Sequence, residues 1–411
     1  SMRALLRVSL LLLASTRAAA VAPSLNYEIT PALYYDKPDN QPVKPEMCNI
    51  LAGSNQTDYT STFCKNGKCW PALWLLGAQK AATSAIYSVL EECGLVVGAW
   101  PSKEATGASV PPFCTQPCKE THFFLDYRFA TSSSGFVVAA NADRATQFTS
   151  MYSSGDGCSD RTYEFMPERA HAACGKGHFI EASPSTDDPG MPLLLANDMP
   201  KRLLIKARFV LILREPVERA LSWYNHNRCP AEKQYGAPWT PCASSEKSKS
   251  FDEYIACCQH SKGQGLAGHD GHDAGDYADF IDSLLDRTPV TRDQLLVLNY
   301  GNAFANATVV QQTMRAITTH YGLPILDRVT EVPPSNSKNY AEKVEQITCA
   351  ARQKLHDIYE PVVQRLYSRF DEDYKLGRAP KHEPPFGRFA LTVKCGNAEQ
   401  TAAAMHPGEH S

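Results

Sequence analysis

The chain reads as an α/β protein built on a mainly parallel β-sheet flanked by helices. Three observations point there. Short, wholly apolar runs of strand length occur at residues 72–77, 209–213 and 295–299; stretches of helical length follow them; and polar turns marked by Gly, Pro or Asn separate the two. A strand covered by helices on both faces loses the alternation of a half-exposed strand and becomes a continuous apolar run. Strands that alternate with helices imply parallel pairing, with a ligand site at the strand C-terminal ends.

With 411 residues and 43% hydrophobic content, the chain can bury a full core, and one large domain with decorations accounts for its length. A formal charge of −3 and the lack of any long Lys/Arg run exclude a nucleic-acid-binding class. The one tight basic group is Lys201, Arg202, Lys206 and Arg208.

Residues 1–22 combine a basic start (Arg3, Arg7), a short apolar core and a small-residue exit at Ala18-Ala19-Ala20-Val21-Ala22. That pattern predicts a secretory signal peptide or a short anchor, because the apolar run falls short of the roughly 20 residues a spanning helix needs. The 14 cysteines are scattered through loops, which behind such a segment favours disulfides over metal ligation. Cys114 and Cys118 lack a second pair at zinc spacing, and Cys257 and Cys258 are adjacent. Asn55-Gln56-Thr57 and Asn306-Ala307-Thr308 are glycosylation sequons that suit the same route.

Residues 23–70, rich in Pro, Asn, Asp and Thr, are expected to form an irregular Cys-containing extension. The main domain spans 71–395. It opens with a strand over 72–77 and a helix over 83–93 that Gly94 ends. A short apolar run follows at 95–100, then an extended stretch around Glu120 and His122, and a helix over 137–152. A strand over 178–182 precedes Ser183-Pro184. The most apolar strand, 209–213, leads to Pro216 as the first residue of a helix, where its missing N–H costs nothing. Residues 229–275 are expected to form a Cys-rich insertion; its tip Gly268-His269-Asp270-Gly271-His272-Asp273 clusters imidazoles and carboxylates as a metal site would, but its glycines and the lack of a second cluster favour a mobile, solvated loop. A strand over 295–299, a helix over 303–321, and over 340–370 a long helix or a pair of helices interrupted near Pro361 complete the domain. Residues 396–411 read as a disordered tail.

Three segments carry chemistry. The turn Gly77-Ala78-Gln79-Lys80-Ala81-Ala82-Thr83-Ser84 has the parts of a phosphate cradle: a glycine leaving a strand, small residues, a lysine, and hydroxyls at a helix start. It is not a Walker A loop, because its lysine precedes the small residues; this disfavours a nucleoside triphosphatase or kinase. In the second segment, Arg214 ends a strand and Ser222 lies about two turns along the next helix, so both can reach one anion. The alternative is an Arg214 paired with Glu215 or Glu218. Both segments lead from a strand into a helix start, which presents backbone N–H groups to a phosphate. In the third, Lys119-Glu120-Thr121-His122-Phe123-Phe124, Glu120 and His122 share one face of an extended segment, where a carboxylate can take a proton from a hydroxyl nucleophile.

These motifs, in this order, resemble the sulfotransferases that use 3′-phosphoadenosine 5′-phosphosulfate (PAPS), in particular the heparan-sulfate type of Golgi enzyme. Residues 212–224, Ile212-Leu213-Arg214-Glu215-Pro216-Val217-Glu218-Arg219-Ala220 through Ser222 and Tyr224, carry much of the likeness. Leu296-Val297-Leu298-Asn299-Tyr300 and His320-Tyr321-Gly322-Leu323-Pro324 extend it, so that it covers roughly residues 71–370. The resemblance implies a P-loop-like three-layer domain. It also implies that Gly77 to Ser84 bind the 5′-phosphosulfate with Lys80 on the bridging oxygen, that Arg214 and Ser222 hold the 3′-phosphate, that Glu120 is the general base, and that His122 positions the acceptor. PAPS is then the co-substrate and no metal is required. The acceptor is a carbohydrate hydroxyl or amine, with a small hydroxylated metabolite as the alternative. The membrane is a partner only if the N-terminal segment stays as an anchor. The expected compartment is the Golgi lumen, with secretion as the alternative.

The chain departs from the family pattern in two places. Ala81 and Ala82 stand where glycines are usual, and Glu181-Ala182-Ser183-Pro184 lacks the usual lysine before Ser/Thr-Pro. These departures keep open a non-catalytic PAPS- or glycan-binding protein of the same fold.

Overall fold

The structure is a computed structural model that describes residues 45–78, 81–99, 145–146, 148–149, 152, 168–183, 191–227, 250–253, 255, 277–332, 348–379 and 389. The expected signal segment, most of the 137–152 helix, the Gly268–Asp273 tip, residues 396–411, Gln79, Lys80, Glu120 and His122 lie outside them.

Before the main sheet come a helical turn, α1 (Thr60–Phe63), and a hairpin of β1 (Cys64–Lys65) and β2 (Lys68–Cys69). The Asn66-Gly67 turn takes positive φ at both residues, as a tight two-residue hairpin demands, and a Cys64–Cys69 disulfide closes it. A Cys48–Cys93 disulfide ties the extension to the main domain, and Cys174 and Cys349 are also disulfide-bonded. Tyr59 adds a buried hydrogen bond, its hydroxyl donating to the Tyr321 carbonyl at 2.7 Å.

The remaining elements alternate. β3 (Leu73–Leu75) leads to α2 (Thr83–Glu92); α3 (Glu168–Gly175) leads to β4 (Ile180–Glu181). Then come α4 (Met191–Asp198), α5 (Lys201–Leu204), β5 (Arg208–Leu213) and α6 (Pro216–Asn227). The chain continues through α7 (Tyr277–Asp286), β6 (Leu295–Asn299), α8 (Tyr300–Ala303), α9 (Ala307–His320) and α10 (Cys349–Lys375). Helix α2 ends as its glycine predicts: the Gly94 N–H donates to Glu91 and the Leu95 N–H to Leu90, satisfying two terminal carbonyls.

The sheet has the order β4-β3-β5-β6, and every pair is parallel. Val97 extends it beyond β4 through a parallel bridge to Phe179. The chain therefore leaves β3 toward one side of the sheet and leaves β5 toward the other. Right-handed crossovers in opposite directions put helices on both faces. That is why β3 and β6 are buried throughout and β5 from Phe209 onward. Each large aliphatic side chain so buried contributes about 2 kcal/mol.

One helix boundary differs from the sequence reading, and between the two readings of the last helix the structure decides. The helix expected over 303–321 begins only at Ala307, after the separate turn α8, because the Asn306 side chain caps that start by accepting the Val309 N–H at 3.1 Å. The last helix runs unbroken through Pro361 for 27 residues. Pro361 is exposed, so its ring faces outward and the Asp357 carbonyl that loses its partner can turn to water.

Candidate functional site

In an open α/β sheet, ligands bind where adjacent strands send their connections in opposite directions. Here that place is the crevice between the C-terminal ends of β3 and β5. The Gly77 turn and the Arg214 segment, far apart in sequence, meet there as hydrogen-bonded neighbours. The Ile212 N–H donates to the Gly77 carbonyl at 2.7 Å, and the Ala78 N–H donates to the Ile212 carbonyl at 2.5 Å. Gly77 leaves the sheet at φ +128°, a conformation essentially reserved for glycine.

Ala78, Ala81 and Thr83 are buried under this turn, and Ser84 is half-buried. Ala82 is the residue before α2 and holds φ +61°, the left-handed region that the expected glycine would take at no steric cost. It has no side chain able to cap the helix, and the first turn contains no acidic residue. Among the described residues, then, neither Ala82 nor the first turn brings a carboxylate to the positive end of α2, which lies at the crevice.

The start of α6 differs, which corrects one expectation. The Glu215 carboxylate accepts the N–H groups of Val217 at 3.0 Å and Glu218 at 2.7 Å. The helix end is thus already filled by its own carboxylate, and an anion there must rely on side chains. Burial raises the Glu215 pKa, and the two capping N–H groups act against that rise.

Arg214 is half-buried, with its guanidinium over the Tyr300 ring at 5.1 Å and its carbonyl accepting the Tyr277 hydroxyl at 2.8 Å. Of the carboxylates considered as its partners, Glu218 pairs with Arg352 of α10 at 2.8 Å. Ser222 is half-buried two turns into α6, on the face of Glu215 and Glu218.

On the other side of β3, the sequence reading missed a buried polar group. Glu181, paired in register with Trp74, accepts the Tyr152 hydroxyl at 2.6 Å and the Ser183 N–H at 2.9 Å, as well as the Ser183 hydroxyl. A Glu inside an apolar strand and two residues before a Ser was the available signal. The group fixes the end of β4 beside the Gly77 turn.

No helix among the described residues is long and apolar enough to cross a membrane. No protein-family model matches the chain. No curated protein matches it. Among solved structures, the crystal structure of a sulfotransferase from Alicyclobacillus acidocaldarius is similar at 20% identity, over 73% of this chain and 95% of that one, with a TM-score of 0.40. At that score the likeness carries no functional weight.

Proposed function

We propose that the protein is a PAPS-dependent sulfotransferase whose nucleotide lies across the crevice between β3 and β5. The observation that carries this reading is the convergence there of two segments suited to two separate phosphates: the Gly77 turn, bonded directly to Ile212, and Arg214 two residues further on. The start of α2, which Ala82 does not cap with a side chain, and the lysine of the turn suit the 5′-phosphosulfate. Arg214 and Ser222 suit the 3′-phosphate, since a guanidinium and a hydroxyl can bind it where the end of α6 is already occupied.

In the reaction, the oxygen of an acceptor hydroxyl forms a bond to sulfur as the bond between sulfur and the bridging phosphate oxygen breaks. Glu120 takes the acceptor proton and His122 positions the hydroxyl. Negative charge builds on the departing phosphate, so Lys80 and the aimed N–H groups bind the transition state more tightly than the ground state. The products are a sulfate ester and 3′-phosphoadenosine 5′-phosphate. The acceptor is a carbohydrate, and the protein works in the lumen of the secretory pathway, where its disulfides form.

Calorimetry with 3′-phosphoadenosine 5′-phosphate tests the reading. Binding by wild type that both Lys80→Ala and Arg214→Ala weaken supports a two-phosphate site. A folded wild type that does not bind removes the sulfotransferase.

A further inference from the structure

The opposite end of the sheet, where β5 begins, carries a cleft of about 400 Å³. It is lined by Thr57, Thr62 and Thr319, by Lys206 and Arg208, and by Asp58, with Tyr59 and His320 among its buried members. Arg208 and Leu213 open and close β5, so the cleft lies about 17 Å along that strand from the crevice. None of its residues is assigned to sulfuryl transfer.

The charges in the cleft do not balance internally. Asp58 is engaged, accepting the Thr60 N–H at 2.9 Å and the Thr60 hydroxyl at 2.5 Å, bonds that hold its carboxyl below the usual range. His320 donates from Nε2 to the carbonyls of Phe209 and Gln294, both at 3.0 Å; burial pulls its pKa down to about 4, so it is neutral at pH 7. Among the described residues, Arg208 has its nearest carboxylate, Asp293, only at 4.0 Å, and Lys206 pairs with none. The side-chain hydroxyls of Thr62 and Thr319 likewise bond to no neighbour among the described residues.

Two underused cations suit an oxyanion, and unsatisfied hydroxyls suit a ligand rich in hydroxyls. The volume falls in the range of small-molecule sites. We propose that this cleft is a second binding site, for an acidic sugar whose carboxylate or sulfate meets Arg208 and Lys206 while its hydroxyls meet Thr57, Thr62 and Thr319. The assignment stands independently of what the crevice binds.

Titration calorimetry on the full chain tests it with four probes: glucose 6-sulfate, glucuronate, inorganic sulfate and glucose. At least one acidic sugar should bind at least tenfold more tightly than sulfate or glucose alone, and the preferred one distinguishes sulfate from carboxylate. The Lys206→Gln/Arg208→Gln variant should lower that affinity at least tenfold, while Arg214→Ala leaves it unchanged. Arg208 begins a strand, so if the double variant melts below wild type, Lys206→Gln/Thr319→Val carries the test with the same expected loss. The proposal is overturned by inorganic sulfate binding as tightly as glucose 6-sulfate, by unchanged affinity in the cleft variants, by loss in Arg214→Ala, or by no binding of either acidic sugar at millimolar concentration.

Discussion

The guanidinium carbon of Arg214 lies 5.1 Å from the centroid of the Tyr300 ring, joining the end of β5 to the residue that follows β6. Leu213 and Asn299 are register partners, so the next residue of each strand is carried to the same edge. A cation over an aromatic face gains about 0.5–2 kcal/mol and restricts a long side chain before any ligand arrives. Tyr300 is in this sense a positioning residue for Arg214.

Tyr300→Leu should therefore weaken 3′-phosphoadenosine 5′-phosphate binding about two- to thirtyfold, the range those energies imply, whereas Tyr300→Phe should retain nearly all of it. Calorimetry on the two variants separates ring from hydroxyl. Equal loss in both would mean that the hydroxyl, not the aromatic face, matters.

The assignment of Glu120 as general base predicts a split between chemistry and binding. Glu120→Gln keeps shape and removes basicity, so turnover of labelled PAPS with a carbohydrate acceptor should fall by about 10²–10⁴. Affinity for 3′-phosphoadenosine 5′-phosphate should stay at the wild-type value. Turnover within a few-fold of wild type would move the base elsewhere, and weakened nucleotide binding would make Glu120 part of the binding site instead.

Ala82 carries a backbone cost that a glycine would not. An L-residue in the left-handed region is disfavoured by about 1–2 kcal/mol, partly offset by the greater chain entropy glycine loses on folding. Ala82→Gly should thus stabilise the protein by up to about 1 kcal/mol in urea unfolding, and Ala82→Val should destabilise it by more than that, because a β-branched side chain is least tolerated there. A destabilising Ala82→Gly would show that the methyl group packs usefully.

The positions of β5, β6 and the start of α6 are readable in the sequence because local signals and burial agree: continuous apolar runs, then Pro216 at the first helical position. Other parts are legible in principle. Tyr277, Ala278, Phe280, Ile281 and Leu284 trace a helical face in α7, but the Gly- and His-rich stretch just before them draws the eye to a loop. Whether Pro361 divides the last helix stays open in the sequence because its effect depends on which face of α10 it occupies, a tertiary fact. The candidate site is legible as two separate motifs. Their contact through Gly77, Ala78 and Ile212 follows only from strand order, which no single segment encodes. The occupation of the α6 end by Glu215 likewise depends on a side-chain choice between capping and pairing.

His320 makes stability pH-dependent in a defined window. Its Nε2 donates to two backbone carbonyls, from Phe209 in β5 and Gln294 before β6, so the neutral ring holds the two strands' entry points together. Burial is the main cause that lowers its pKa from 6.5 to about 4, with Arg208 and Arg292 acting in the same direction. In the unfolded chain the imidazole takes a proton near pH 6.5; in the folded state it resists until about pH 4. The unfolded state thus binds more protons between those values, and stability falls as pH is lowered through that window. The shift corresponds to about 3 kcal/mol lost from this one group. His320→Gln, which keeps a donor and removes the titration, should be less stable than wild type at pH 7 yet lose correspondingly less between pH 6.5 and 4. Urea unfolding at stepped pH measures both slopes, and parallel slopes would show that the folded state does not hold the His320 pKa below its unfolded value.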